Sequence, residues 1–159
     1  LAPERWLEPL VRERVRDVFT ADLERGDVNF QANLEHLPIP DASLDVLICS
    51  DVLEHVEDDA QAMGEIRRVL KDDGVAYIHV PIVARQTVEY GFPVEIDHGH
   101  RRAYGPDVKD RLAGAGLRVT EFASVQLSAG LRRRWGVVDN DRVLLGSPKR
   151  SVLETQSER

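Results

Sequence analysis

The stretch LPIPDASLDVLICSDVLEHV, residues 37–56, decides how this chain is read. Its opening is loop chemistry, because Pro38 and Pro40 each remove a backbone donor and Asp41-Ala-Ser43 favours a turn. From Leu44 to Ser50 the residues are continuously apolar after Asp45, the pattern of a central parallel strand buried on both faces. Ser50-Asp51 then sets two polar side chains at that strand's carboxyl end. Asp58-Asp59 predicts a helix start, and Ala62, Met63, Ile66, Val69 and Leu70 recur on one helical face, with Gly74 as the expected stop. Val75–Val80 predicts the next strand, broken by Pro81. Strand, helix and strand in this order are a βαβ unit.

Working outward, Pro3 opens a helical stretch with Leu7, Leu10, Val11 and Val15 at helix spacing. Residues 17–23 read as a strand ending at Asp22, Gly26-Asp27 as a turn, and 28–34 as a further strand. On the other side, residues 82–104 show no periodicity and are expected to form a long loop, the kind that in compact domains is usually functional or disordered. A helix is expected over 106–115 with Gly116 closing it, then a strand over 117–125. Asp139-Asn140 turns the chain into a last strand, 142–146. The sum is an α/β fold: a doubly wound, mostly parallel sheet in three α/β/α layers, with an antiparallel C-terminal strand added at one edge. Ligands of such sheets bind beyond the carboxyl ends of the strands. That rule picks out Asp22, Asn33, Ser50, Asp51 and the segment behind Pro81.

Composition narrows the partners. The chain has 159 residues, 42% hydrophobic and 31% charged, which suits one domain over residues 1–147 with a flexible tail over 148–159. A formal charge of −7 argues against general nucleic-acid binding. No apolar run approaches the roughly 20 residues of a membrane span. One cysteine, Cys49, excludes an internal disulfide framework and suits a cytoplasmic setting. Leu-Ala-Pro-Glu at the beginning carries neither an initiator Met nor a signal pattern, so the start of a first strand is expected to precede Leu1.

The run from Leu37 to Val56 resembles class I S-adenosylmethionine-dependent methyltransferases of the type 11 kind, whose usual reading is LPF-x-D-x-SFD, an apolar segment, then CS-x-VLEH. Its continuation, Glu65-Ile-Arg-Arg-Val-Leu-Lys-Asp-Asp-Gly-Val75, is similar to their RVLKPGG, departing at Asp72-Asp73. The resemblance implies a Rossmann-like fold, S-adenosyl-L-methionine as cofactor and a small-molecule methyl acceptor, with a homodimer compatible. It implies Asp22 at the ribose diol, Asn33 at the adenine amino group, Leu34 against the adenine face, and Ser50 and Asp51 beside the methionine moiety. Each has a plainer reading: Asp22, Asn33, Ser50 and Asp51 as turn or strand-end caps, Leu34 as core. The family's glycine-rich loop is missing from this chain, and Ala2-Pro3-Glu4 stands in its place. Ala2 and Glu4 are therefore expected to border the cofactor, unless Glu4 only stabilises a helix start.

Asp97-His98-Gly99-His100-Arg101 is the expected acceptor region, and it resembles a DH-x-R-x-Y-G stretch of related methyltransferases, with Tyr104 and Gly105 completing it. His98 is the candidate catalytic base, its ordinary pKa suiting proton removal from a hydroxyl or amine. The alternative is a histidine that organises its loop. Tyr90 and Phe92 either contact substrate or anchor the segment. Asp51-x-x-Glu54-His55 also resembles an E-x-x-E-H metal-binding run of small-RNA 2′-O-methyltransferases. Asp51, Glu54, His55 and His98 would then be the ligands, although the leading expectation is a site without metal. His36 and His79 receive no role, and Arg132-Arg-Arg-Trp135 reads as a solvated face. Methyl transfer leads; a non-catalytic methyltransferase-like module that has lost cofactor affinity is the alternative. A nicotinamide-dependent oxidoreductase is weaker, for want of G-x-G-x-x-G.

Overall fold

The computed structural model describes residues 7–126, 128–130 and 142–149. Among them the chain runs α1 (Leu7–Arg12), β1 (Ala21–Asp22), β2 (Phe30–Gln31), β3 (Leu44–Ser50), α2 (Asp59–Val69), β4 (Leu70–His79), β5 (Val88–Val94), β6 (His100–Ala103), α3 (Val108–Gly114), β7 (Arg118–Ala123) and β8 (Arg142–Ser147). The main sheet has the order β3-β4-β8-β7. β3 and β4 are parallel, with Ser50 opposite His79, and β8 is antiparallel to both β4 and β7. The α/β class with an antiparallel last strand is therefore as expected. β8 does not add to an edge, however. It lies between β4 and β7, where Leu144 is buried and the Ser147 hydroxyl donates to the Gly74 carbonyl at 3.0 Å.

The core forms where α2 and α3 cover this sheet. Asp58 caps α2 by accepting from the Gln61 amide, and Ala62, Met63, Ile66 and Val69 are fully buried against Cys49, Ala76 and Ile78. Met63, Ile66 and Val69 each contribute about 1.5–3 kcal/mol by burial. Val108 and Leu112 of α3 complete the layer. Gly74 does not stop the helix. α2 passes straight into β4 at Leu70, which is itself buried, and Gly74 lies within β4. A Cβ there would stand 2.8 Å from the Leu44 carbonyl oxygen, so only glycine lets the two strands approach where their register shifts.

Two other expectations change. The expected strands over 17–23 and 28–34 contract to two residues each, paired in parallel apart from the main sheet. Side-chain bonds take over from the ladder: Asn29 Oδ1 accepts from both the Thr20 amide (2.9 Å) and its hydroxyl (3.1 Å). Between this pair and β3 runs a groove of about 750 Å³, lined by Val11, Val15, Phe19, Phe30 and Val46 among others. Val46 is consequently 56% exposed, so β3 is not covered on both faces as its apolar run suggests. The second change is in 82–104, where β5 and β6 form an antiparallel ribbon in place of a loop. None of the described helices is long and apolar enough to cross a membrane.

Arg102 ties that ribbon to the connection between β3 and α2. Its guanidinium is buried and donates to the carbonyls of Leu53 (2.7 Å), Val56 (2.8 Å) and Glu57 (3.0 Å), and to Glu89 (3.0 Å). The Tyr104 hydroxyl donates to Asp59 at 2.9 Å, and Arg111 bridges Asp59 and Glu89. Gly105 then packs hard against residue 86, where a Cβ would meet Gln86 Cα at 2.5 Å. Gly105→Ala should accordingly destabilise the domain by about 1–3 kcal/mol. Gly64→Ala, with nothing within 4 Å of its would-be Cβ in α2, should stabilise it by about 0.5–1 kcal/mol. Urea midpoints at unchanged m-value measure both, and a neutral Gly105→Ala would contradict the tight approach.

Candidate functional site

The carboxyl ends of β3 and β4 bring Ser50, Asp51 and His79 together. Ser50 Oγ donates to Asp51 Oδ2 at 2.9 Å, and Asp51 Oδ1 lies 2.9 Å from His79 Nδ1. The Asp51 amide donates to the His79 carbonyl at 3.0 Å, so backbone and side chain are held by the same residue. Asp51 adopts φ 52°, a left-handed turn that aspartate tolerates better than most residues. The hydrogen bond from His79 is the largest influence on its carboxyl and holds it below the ordinary value. His79 carries no motif of its own. The signal that could have found it is the parallel pairing, which sets the last residue of β4 beside the last of β3.

The residues expected at the adenosine end sit on β1, β2 and the turns behind them. Asp22 ends β1, and its Oδ1 accepts from the amides of Glu24 and Arg25, both at 2.9 Å. Asn33 follows β2; its Oδ1 accepts from the Glu35 amide at 2.9 Å, and its carbonyl from the His36 amide at 3.0 Å. Leu34 is 3% exposed and part of the hydrophobic core. Ala2 and Glu4 lie outside the described residues, as does the Arg132–Trp135 run. The large groove runs along Leu44–Ile48 and does not reach Ser50 or Asp51.

A second cluster lies on the β3–α2 connection. Glu54, His55 and His100 each offer a ligand atom, and these atoms lie within 4.8 Å of one another. Glu54 is 1% exposed, and neither of its carboxylate oxygens has a hydrogen-bond partner. Burial pushes its carboxyl up to about 7. The His55 and His100 rings meet edge to face at 4.7 Å, and burial followed by His100 holds His55 below its usual range. The expected metal set was different. Asp51 is engaged by His79, and His98 sits exposed with its ring 6.3 Å from that of His100. His98 is in the left-handed conformation, φ 55°, just after a short 3-10 turn at Glu95–Asp97. His100 is part of the expected acceptor segment, but reading 82–104 as a loop gives no sign that it begins a strand beside the β3–α2 connection.

The remaining stretch is structural in what it touches. Arg102, Tyr104 and Gly105 hold the ribbon to residues 53–59 and to residue 86, as described above. Cys49 is fully buried, its thiol pushed up to about 12 by burial, which leaves it an inert apolar residue. Phe92 is 65% exposed on β5.

Comparison with known proteins bears on this arrangement. Residues 8–78 match a family model described as a methyltransferase domain. A Mycolicibacterium smegmatis protein described as a probable S-adenosylmethionine-dependent methyltransferase is 36% identical over 100 residues, covering 62% of this chain and 38% of its own length. A protein of a Streptomyces fradiae transposon, described as uncharacterized, is 32% identical over 119 residues, 75% of this chain and 31% of its own. The chain thus spans about a third of the curated relatives it matches. Among solved structures, an S-adenosylmethionine-dependent methyltransferase from Archaeoglobus fulgidus superposes with a TM-score of 0.60 at 16% identity, over 89% of this chain and 80% of that one. A Pyrococcus horikoshii protein gives 0.58 at 19%, over 90% and 76%. At such identities the structural likeness speaks to fold alone. Sequence and fold nevertheless agree: residues 8–78 match a methyltransferase-domain family, and the fold is the Rossmann-like one of the solved structures that superpose on it.

Proposed function

We propose that this domain binds S-adenosyl-L-methionine across the carboxyl ends of β1, β2 and β3 and serves transfer of its methyl group to an O, N or C atom of a small-molecule acceptor. The observation that carries the reading is the Ser50-Asp51-His79 cluster at the β3–β4 end, in a fold whose ligands bind at that edge. The donor set suits the cofactor chemically. An ionised Asp51 complements an ammonium group, and Asp22 complements a ribose diol through the carboxylate oxygen not used by its turn. Asn33 offers an amide in place of a carboxylate, and Leu34 is assigned to the adenine face on resemblance alone. Ala2 and Glu4 are assigned the same ligand's backbone side on resemblance alone.

When bound, the cofactor supplies an activated methyl group on a sulfonium, so the chain's own work is alignment and exclusion of water. The β5–β6 ribbon, held to the β3–α2 connection through Arg101 and Arg102, is the segment we assign to that work. His98, exposed on its turn, is proposed to take the acceptor's proton. The single buried cysteine suits a cytoplasmic setting. The alternative, a module without cofactor affinity, draws support from the turn bonds already made by Asp22 and Asn33.

Calorimetry with S-adenosylhomocysteine on the full-length protein should give one binding event, weakened about tenfold by Asp51→Ala through loss of a charge-assisted contact. Absence of heat at millimolar ligand would favour the non-catalytic module. His98→Ala should lower turnover of an acceptor found by mass-spectrometric screening and leave cofactor binding intact; unchanged turnover would return His98 to loop organisation. Asp51 titrates below its ordinary 3.8, so its pairing with His79 stabilises fully above that value and is lost as pH falls through the depressed one. His79→Ala should raise the Asp51 titration, followed by carboxyl-carbon NMR, and an unmoved titration would break the pair.

A further inference from the structure

We propose that Glu54, His55 and His100 form a binding site for a borderline divalent transition cation of the zinc, cobalt or manganese type. This inference stands on side-chain geometry and holds whether or not the domain transfers methyl groups.

Two independent observations point to a ligand. The first is convergence: one carboxylate and two imidazoles, from two separate segments of chain, present ligand atoms within 4.8 Å of one another. The second is an orphan. Glu54 is buried to 1% exposure, and both its oxygens lack any hydrogen-bond partner. An uncompensated buried carboxylate is among the costliest features a fold can retain, so it calls for a proton or a cation. The nearby guanidinium is not its partner, because Arg102 donates to three carbonyls and Glu89.

The surroundings suit a metal. Arg101 donates its amide to the Glu54 carbonyl at 2.8 Å, locking β6 onto the connection, so the three ligands come from rigidly joined elements. Two imidazoles with one carboxylate favour zinc, cobalt or manganese over calcium and magnesium, which prefer all-oxygen cages. Three protein ligands leave positions open for water or for an acceptor atom.

The test uses the chelator-treated protein titrated with zinc chloride by calorimetry and with cobalt chloride by visible absorption. One cation per chain is expected, with cobalt ligand-field bands characteristic of nitrogen ligation. Glu54→Gln and His100→Ala should each weaken binding about tenfold or more, and magnesium chloride should give no heat. If Glu54→Gln does not fold, His100→Ala and the cobalt spectrum still decide. Absence of stoichiometric binding by zinc and cobalt would overturn the proposal, leaving Glu54 a neutral buried acid. So would unchanged affinity in His100→Ala.

Discussion

The burial of one guanidinium organises the β3–α2 connection and the ribbon beside it. Where β3 ends, the chain must cross to α2 without regular structure, and the carbonyls of Leu53, Val56 and Glu57 point inward with no helix or strand to receive them. Buried backbone acceptors without donors are not tolerated. Arg102 meets all three, and it can do so because a planar guanidinium offers several donors in fixed directions. Its position at the end of β6 means that satisfying the connection also fixes the ribbon. Everything at the edge inherits its place from that contact: Glu54 and His55 on the connection, His100 on the ribbon.

The charge introduced by Arg102 is balanced locally. Glu89 accepts from it at 3.0 Å, Asp59 lies 3.7 Å away, and Arg111 joins both carboxylates. Tyr104 remains a neutral donor to Asp59, its phenol held well above the ordinary range by burial and that carboxylate. Two cations, two anions and a phenol thus link β5, β6, α2 and α3. The sequence marks this only as an arginine and a tyrosine two positions apart within a suspected acceptor segment. Their energetic role became visible when the partners, some 45 to 50 positions away, were in view.

How far the chain could be read in advance follows from what kind of force fixes each part. β3 and the start of α2 were legible almost to the residue, from an apolar run in one and a three-to-four spacing in the other, whereas the end of α2 was not: it stops at Val69, and Leu70 already belongs to β4. The antiparallel last strand was legible as a strand, but its inner place between β4 and β7 was not, since strand order is set by long-range packing. Gly74 reads as a helix stop by local rules, and the approach of Leu44 overrides them. The β5–β6 ribbon is exposed on much of β5, so it lacks the alternation that burial would write. Asp22, Asn33, Ser50 and Asp51 are picked out by strand ends and family resemblance, and each ends a strand or follows one closely. His79 receives no role from the sequence and His100 enters only as part of the expected acceptor segment, because what each one touches depends on pairing between strands.

The left-handed backbone at Asp51 has a consequence for how this edge can change. Few residue types settle there without strain, essentially aspartate, asparagine and glycine. Two jobs are therefore fused at one position, reversing the chain out of β3 and presenting the carboxylate held by Ser50 and His79. A lineage that exchanged the carboxylate for another chemistry would have only an amide or a bare backbone to draw on, unless it also redrew the path of the chain. The exposed positions of β5, such as Phe92, carry no such double duty, and a change of side chain there leaves the path of the chain alone.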